Sequence, residues 1–155
     1  MQEATIGATP TNVVEGRLGV AFDSSTCMDF NFFPGRIGVA MRNFEEIGPF
    51  CNTGGSTVCV TVSFFPNDCV EAANAENVLV IPAAYTEFNP AEFGSGNGYL
   101  GTIGLDNPNQ FQFLLDAGEQ FVVIGQQVRD LEAPENGLGC TFGVSVEFDS
   151  NCGEA

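Results

Sequence analysis

Twenty carboxylates, several asparagines and six cysteines are the residues of this chain with chemistry to offer, and neither histidine nor lysine stands among them. Without those two types there is no Ser-His-Asp or Cys-His pair, no Schiff-base amine, no Ser-Lys dyad and no P-loop, which requires Gly-Lys. A glycosidase-like pair of acids needs neither residue, but twenty acids supply such pairs by chance, and no tryptophan and only two tyrosines are present to stack on a sugar. The chain is therefore expected not to be an enzyme. Calcium suits the acids better, because a hard cation takes about six to eight oxygens from carboxylates, amides and carbonyls. Two loops concentrate such groups: Asp106, Asn107 and Asn109 in one, and Asp130, Glu132, Glu135 and Asn136 in the other. Neither has EF-hand spacing, and a solvated acidic loop is the plain alternative for each.

The cysteines are Cys27, Cys51, Cys59, Cys69, Cys140 and Cys152, none in a C-x-x-C pair and none with a histidine to help hold zinc. Three disulfides is the economical reading, with the connectivity open, and it places the protein outside the cell or on its surface. The first twenty residues lack the basic and apolar regions of a signal peptide, so an exported protein would be represented here by its mature form. No apolar run approaches the roughly 20 residues of a membrane span. A formal charge of -16 repels nucleic acid and anionic membranes, which leaves cations, neutral ligands such as a surface glycan, and copies of the chain itself as expected partners.

What positions these groups is a β-structure. Residues 110 to 115 alternate Phe111, Phe113 and Leu115 against Gln110 and Gln112, and Asp116-Ala117-Gly118-Glu119 supplies a hairpin-sized connection to the apolar run of Phe121, Val122, Val123 and Ile124. Phe142, Val144, Val146 and Phe148 alternate with Gly143, Ser145 and Glu147, and Val58, Val60, Val62 and Phe64 with Cys59, Thr61 and Ser63. Further strands are expected at residues 17 to 22, with Leu18, Val20 and Phe22 on one face, and around Ile37, Val39 and Met41. Another is expected at residues 77 to 82, apolar on both faces and so central. Residues 44 to 56 read as a loop pinned by Cys51, 70 to 77 as a short helix, 83 to 97 as a long loop, and 130 to 139 as an acidic loop. The expected fold is a single all-β sandwich, jelly-roll-like, with about eight antiparallel strands, stapled by disulfides. At 155 residues it can bury roughly two thirds of its unfolded surface.

The stretch from Val58 to Val146 carries VCVTVSF, a cysteine at 69, NVLVIPAAYTEFNP, GYLGTIG, FQFLLDAGEQFVVIGQQV and GLGCTFGVSVEF. In that order of strands and turns it resembles secreted bacterial β-sandwich modules related to the pre-peptidase C-terminal domain family. The resemblance implies a sandwich without catalytic residues, of a kind usually appended to extracellular enzymes and surface proteins. Here no enzyme is attached, which suggests a product in its own right.

Residues 1–14 are set apart from the sandwich of 15–155. Ala4, Ile6 and Ala8 alternate with Thr5 and Gly7 before Pro10, and read either as a first edge strand or frayed terminus, or as a strand donated to a neighbouring copy. Two Phe-Phe-Pro triplets, Phe32-Phe33-Pro34 and Phe64-Phe65-Pro66, should each leave one ring outside the core, because consecutive strand residues face opposite ways. Those rings either pack under loops or form contact surfaces. The expected function is that of a secreted structural protein that assembles into a filament or surface layer, with calcium in the contacts. A monomeric binding module for a carbohydrate or other surface ligand is the alternative.

Overall fold

The structure is a computed structural model and describes residues 2–6, 13–19, 21–71, 74–128 and 139–147. Among them are eleven strands: β1 (Gln2–Thr5), β2 (Val13–Leu18), β3 (Arg36–Cys51), β4 (Val58–Phe65), β5 (Val70–Glu71), β6 (Asn74–Val78), β7 (Val80–Tyr85), β8 (Tyr99–Thr102), β9 (Gln110–Leu115), β10 (Gln120–Gln127) and β11 (Thr141–Glu147). Nine form two antiparallel sheets, ordered β1-β11-β4-β9 and β2-β3-β10-β7-β8, and β5 with β6 makes a separate ribbon. Leaving out β2 and the ribbon, the eight remaining strands, counted along the chain, run 1-8-3-6 in one sheet and 2-7-4-5 in the other. That is the jelly-roll order.

The first sheet has one buried face, and its sequence shows it. Val60, Val62 and Phe64 of β4, Phe111, Phe113 and Leu115 of β9, and Phe142 and Val144 of β11 are buried, while Thr61, Ser63 and Gln112 between them are not. Phe113 meets Phe121 of the second sheet edge to face, with ring centroids 5.0 Å apart, and Phe121 stacks on Phe50 at 5.0 Å. The second sheet is covered on both faces, and so every residue of β7 is buried and all but the first of β10. Its outer cover is aromatic: Phe88 packs on Tyr85, Phe44 and Phe93, the last carried by a 3-10 helix (Pro90–Ser95).

Several local expectations are corrected. The connection 116–119 is an arch rather than a hairpin, because β9 and β10 lie in different sheets. The buried Asn52 side chain clasps that arch, donating to the carbonyls of Leu115 at 3.1 Å and Asp116 at 3.2 Å. The supposed loop at 44–56 is largely strand: β3 continues through the cis Gly48-Pro49 bond to Cys51, with a bulge opposite Phe121 and Val123 that absorbs the proline. Residues 70–77 hold the strands β5 and β6 instead of a helix. So short a run has little helical stability of its own, and pairing across the ribbon prevails. The strand expected at 17–22 is displaced to Val13–Leu18, so that Leu18 is buried while Phe22 lies beyond the strand and is exposed; Val20 lies outside the described residues. The loop expected at 83–97 begins as the end of β7 and includes the 3-10 helix.

Candidate contact surface

Residues 21–35 join β2 to β3 across the open side of the sandwich, and buried polar atoms fix their path. Ser25 links the two sheets: its N–H donates to the carbonyl of Thr102 on β8 at 3.1 Å, and its carbonyl accepts from Gln112 on β9 at 2.7 Å. Ser24 donates its N–H to Asp106 Oδ1 at 2.7 Å and its hydroxyl to the Asn107 carbonyl at 2.6 Å, and its oxygen accepts from Gly104 N at 2.7 Å. A Cβ at Gly104 would lie 2.3 Å from the backbone of Asp23, so this close approach requires glycine. Asn31 donates Nδ2 to the Asp23 and Thr102 carbonyls at 3.1 and 3.2 Å, and its Oδ1 accepts from the Tyr99 hydroxyl. Burial, with Tyr85 close by, pushes that hydroxyl's pKa up and keeps it protonated to donate. The disulfide Cys27–Cys59 then ties the segment to β4.

What this framework displays is apolar. Phe22 is 83% exposed, Met28 96%, Phe30 58% and Phe32 83%, and Leu105 on the adjoining turn is 67% exposed. Phe30 and Phe32 meet edge to face at 5.8 Å, while Phe33 turns inward against Phe93 and Tyr99. Of the contact residues expected from sequence, Phe32 and Phe65 are thus exposed and Phe33 is partly buried. Phe64 must be removed from the set, since its strand phase points it into the core beside Phe142. Sequence reasoning missed Phe22, Met28, Phe30 and Leu105; the available signal was four aromatic rings within Phe22–Phe33 interleaved with aspartates.

At the other end of the chain, β1 is the edge strand of its sheet among the described residues and pairs with β11, from Gln2 opposite Val144 to Thr5 opposite Thr141. Ile6 extends the pairing, with its N–H on the Cys140 carbonyl at 2.8 Å, and its side chain is wholly buried. Ala4 is partly buried, and Ala8 lies outside the described residues.

Of the acids expected to hold calcium, Asp106 lies among the described residues. Asp106 is the single carboxylate of its cluster, and the Ser24 N–H that it accepts holds its pKa below the usual carboxylate value. Its ionisation therefore favours the folded loop above the ordinary range, and that contribution is lost as the pH falls through the lowered value. The Asn109 carbonyl is engaged by Phe64 N at 2.7 Å, and Asn107 Oδ1 by Asn109 N at 3.4 Å. These bonds buckle the cluster onto the β8–β9 turn. Asp130, Glu132, Glu135 and Asn136 lie outside the described residues. Asp68, Cys69 and Cys140 also converge, but both sulfurs are committed to the disulfide Cys69–Cys140 and Asp68 accepts from Thr141 N at 2.6 Å. Cys51 is disulfide-bonded as well, and Cys152 lies outside the described residues. No helix among the described residues is long and apolar enough to cross a membrane. The chain matches no family model, no curated protein and no solved structure.

Proposed function

We propose that the chain is a non-enzymatic extracellular structural subunit that assembles with copies of itself by exchanging its N-terminal strand, with divalent cations such as calcium relieving the repulsion between subunits. The observation that carries this reading is the seat of Ile6. A wholly buried anchor sits at the end of a four-residue strand that, among the described residues, pairs with β11 alone, while β2 belongs to the other sheet. The same pairings and the same socket are available to β1 of a neighbouring copy, so exchange creates no new interface and costs chiefly association entropy. Disulfide use supports an oxidising compartment, and the lack of histidine and lysine supports a role without catalysis. The test compares the full chain with one starting at residue 7, by light scattering and negative-stain electron microscopy, with and without calcium. The full chain is expected to form oligomers or fibres that grow with concentration. The truncated chain is expected to stay monomeric and to gain thermal stability from a peptide of residues 1–8. A full chain that stays monomeric at every concentration and in both conditions removes the proposal.

One observation favours a second reading, a monomeric module for a neutral surface glycan. Ser63, Phe65, Asn107, Asn109 and Gln110 line a shallow depression of about 490 Å3 that combines amides and a hydroxyl with one aromatic face. Titration with neutral oligosaccharides, repeated on Phe65→Ala, checks it.

A further inference from the structure

The geometry points to the loop of Phe22, Met28, Phe30 and Phe32 as a preformed docking surface for a basic amphipathic polypeptide, one that presents apolar side chains flanked by lysine or arginine. This does not depend on strand exchange, because the surface is complete in a single copy. Its side chains are among the most exposed apolar groups of the molecule, with Met28 at 96% and Phe22 and Phe32 at 83%, and they share one segment. An unstructured loop would bury such rings by collapsing onto the sandwich. Here that collapse is prevented: Cys27 is bonded to Cys59, Ser24 and Ser25 are buried in hydrogen bonds to β8, β9 and the turn between them, and Asn31 ties Asp23 to Thr102. The ordering entropy that binding ordinarily costs is already spent, which is what makes exposed aromatic groups effective anchors.

Charge identifies the occupant. Asp23 follows Phe22, Asp29 lies between Met28 and Phe30, and Asp106 follows Leu105, whereas no arginine occurs in residues 21–35 or 104–109. Two copies meeting through this surface would set three carboxylates against three, within a net charge of -16 on each. An anionic membrane meets the same repulsion. A partner with apolar anchors and cationic flanks satisfies both parts of the surface at once, the rings by burial and the acids by steering and pairing.

The test uses the intact, oxidised protein and a short labelled alternating leucine-lysine peptide, followed by fluorescence anisotropy across a salt series. The peptide is expected to bind, and Phe22→Ser with Phe32→Ser to weaken it by at least about tenfold, since buried aromatic anchors each carry more than about 1 kcal/mol. Both rings are 83% exposed, so the double variant should fold normally, which its thermal midpoint verifies. Asp23→Asn with Asp29→Asn is expected to weaken binding several-fold and flatten its salt dependence. Unchanged affinity in the double serine variant, equal binding of a leucine-glutamate peptide, or equal binding of oligolysine to wild type and serine variant would each overturn the proposal. Binding to phosphatidylcholine vesicles that the peptide does not displace would overturn it in favour of a lipid surface.

Discussion

Gly125 lies within β10 where a side chain is excluded by the opposite sheet: a Cβ there would come within 2.1 Å of Phe142 Cζ and within 2.7 Å of two further ring carbons. Phe142 is wholly buried and cannot swing aside without displacing its neighbours, so the contact is one that the core must resolve by strain. Gly125→Ala should therefore destabilise by about 1–3 kcal/mol, the ordinary cost of overpacking, read as a lowered urea midpoint at unchanged slope. Adding Phe142→Leu should return part of the loss relative to the sum of the two single changes; strict additivity would show that the ring is not what Gly125 accommodates. The residue beside it works differently. Gln126 is buried and accepts from Leu18 N at 2.8 Å while donating to the Gly16 carbonyl at 2.9 Å, so a polar side chain binds β10 to β2. Neither role is visible in a one-dimensional pattern. A glycine and a glutamine in an apolar run look like weak points of a strand, and only the opposite sheet and the passing of β2 explain them.

Strands with one wet face were legible because their period of two is imposed by burial. Phe111, Phe113 and Leu115, or Val60, Val62 and Phe64, could be assigned to the core from alternation alone. The run at 77–82 reads as apolar on both faces; the structure divides it between the end of β6 and the start of β7, and full burial holds for β7. What alternation cannot state is which strand comes next to which. Asp116 to Glu119 has the chemistry of a tight turn, including a left-handed Gly118 and an Asp116 N–H that donates to Glu119 Oε1 at 3.0 Å, yet it sends the chain into the other sheet. Of the apolar loop the sequence shows only the Phe32-Phe33-Pro34 triplet, since what holds its rings in water is a disulfide and a set of bonds between residues about eighty positions apart. The two described disulfides differ in access. Cys59 is exposed, whereas Cys69 is wholly buried and Cys140 is 8% exposed. Mild reductant followed by differential alkylation should label Cys27 and Cys59 well before Cys69 and Cys140. In the chain-entropy account the bonds, spanning 32 and 71 residues, contribute about 4 kcal/mol each, so the order of labelling reports access rather than a large difference in stability. The first reduced species should keep its β-sheet circular dichroism. Labelling in the opposite order would mean that the ribbon end of the sandwich opens before the loop.

At the scale of the whole molecule the charge is the dominant unspent term. A net charge of -16 repels both the domain itself and its copies, and the pair of Glu15 with Arg36, at 4.0 Å and partly exposed, does little to offset it. Any assembly through β1 brings two such bodies together, so screening should govern it. Sodium chloride shortens the screening length to roughly 8 Å at about 0.15 M and roughly 3 Å at about 1 M, and should raise both the thermal midpoint and the fraction assembled. Calcium distinguishes screening from coordination. Compared at equal ionic strength, an ion held by several carboxylates should raise the midpoint and promote assembly beyond sodium chloride, and magnesium, which keeps its waters and demands octahedral geometry, should do less. Equal effects of all three salts would reduce the role of calcium to that of a counterion, leaving strand exchange to stand or fall on the truncated chain. An excess effect of calcium that survives in the chain lacking residues 1–6 would locate the ion within the sandwich, away from the contacts between copies.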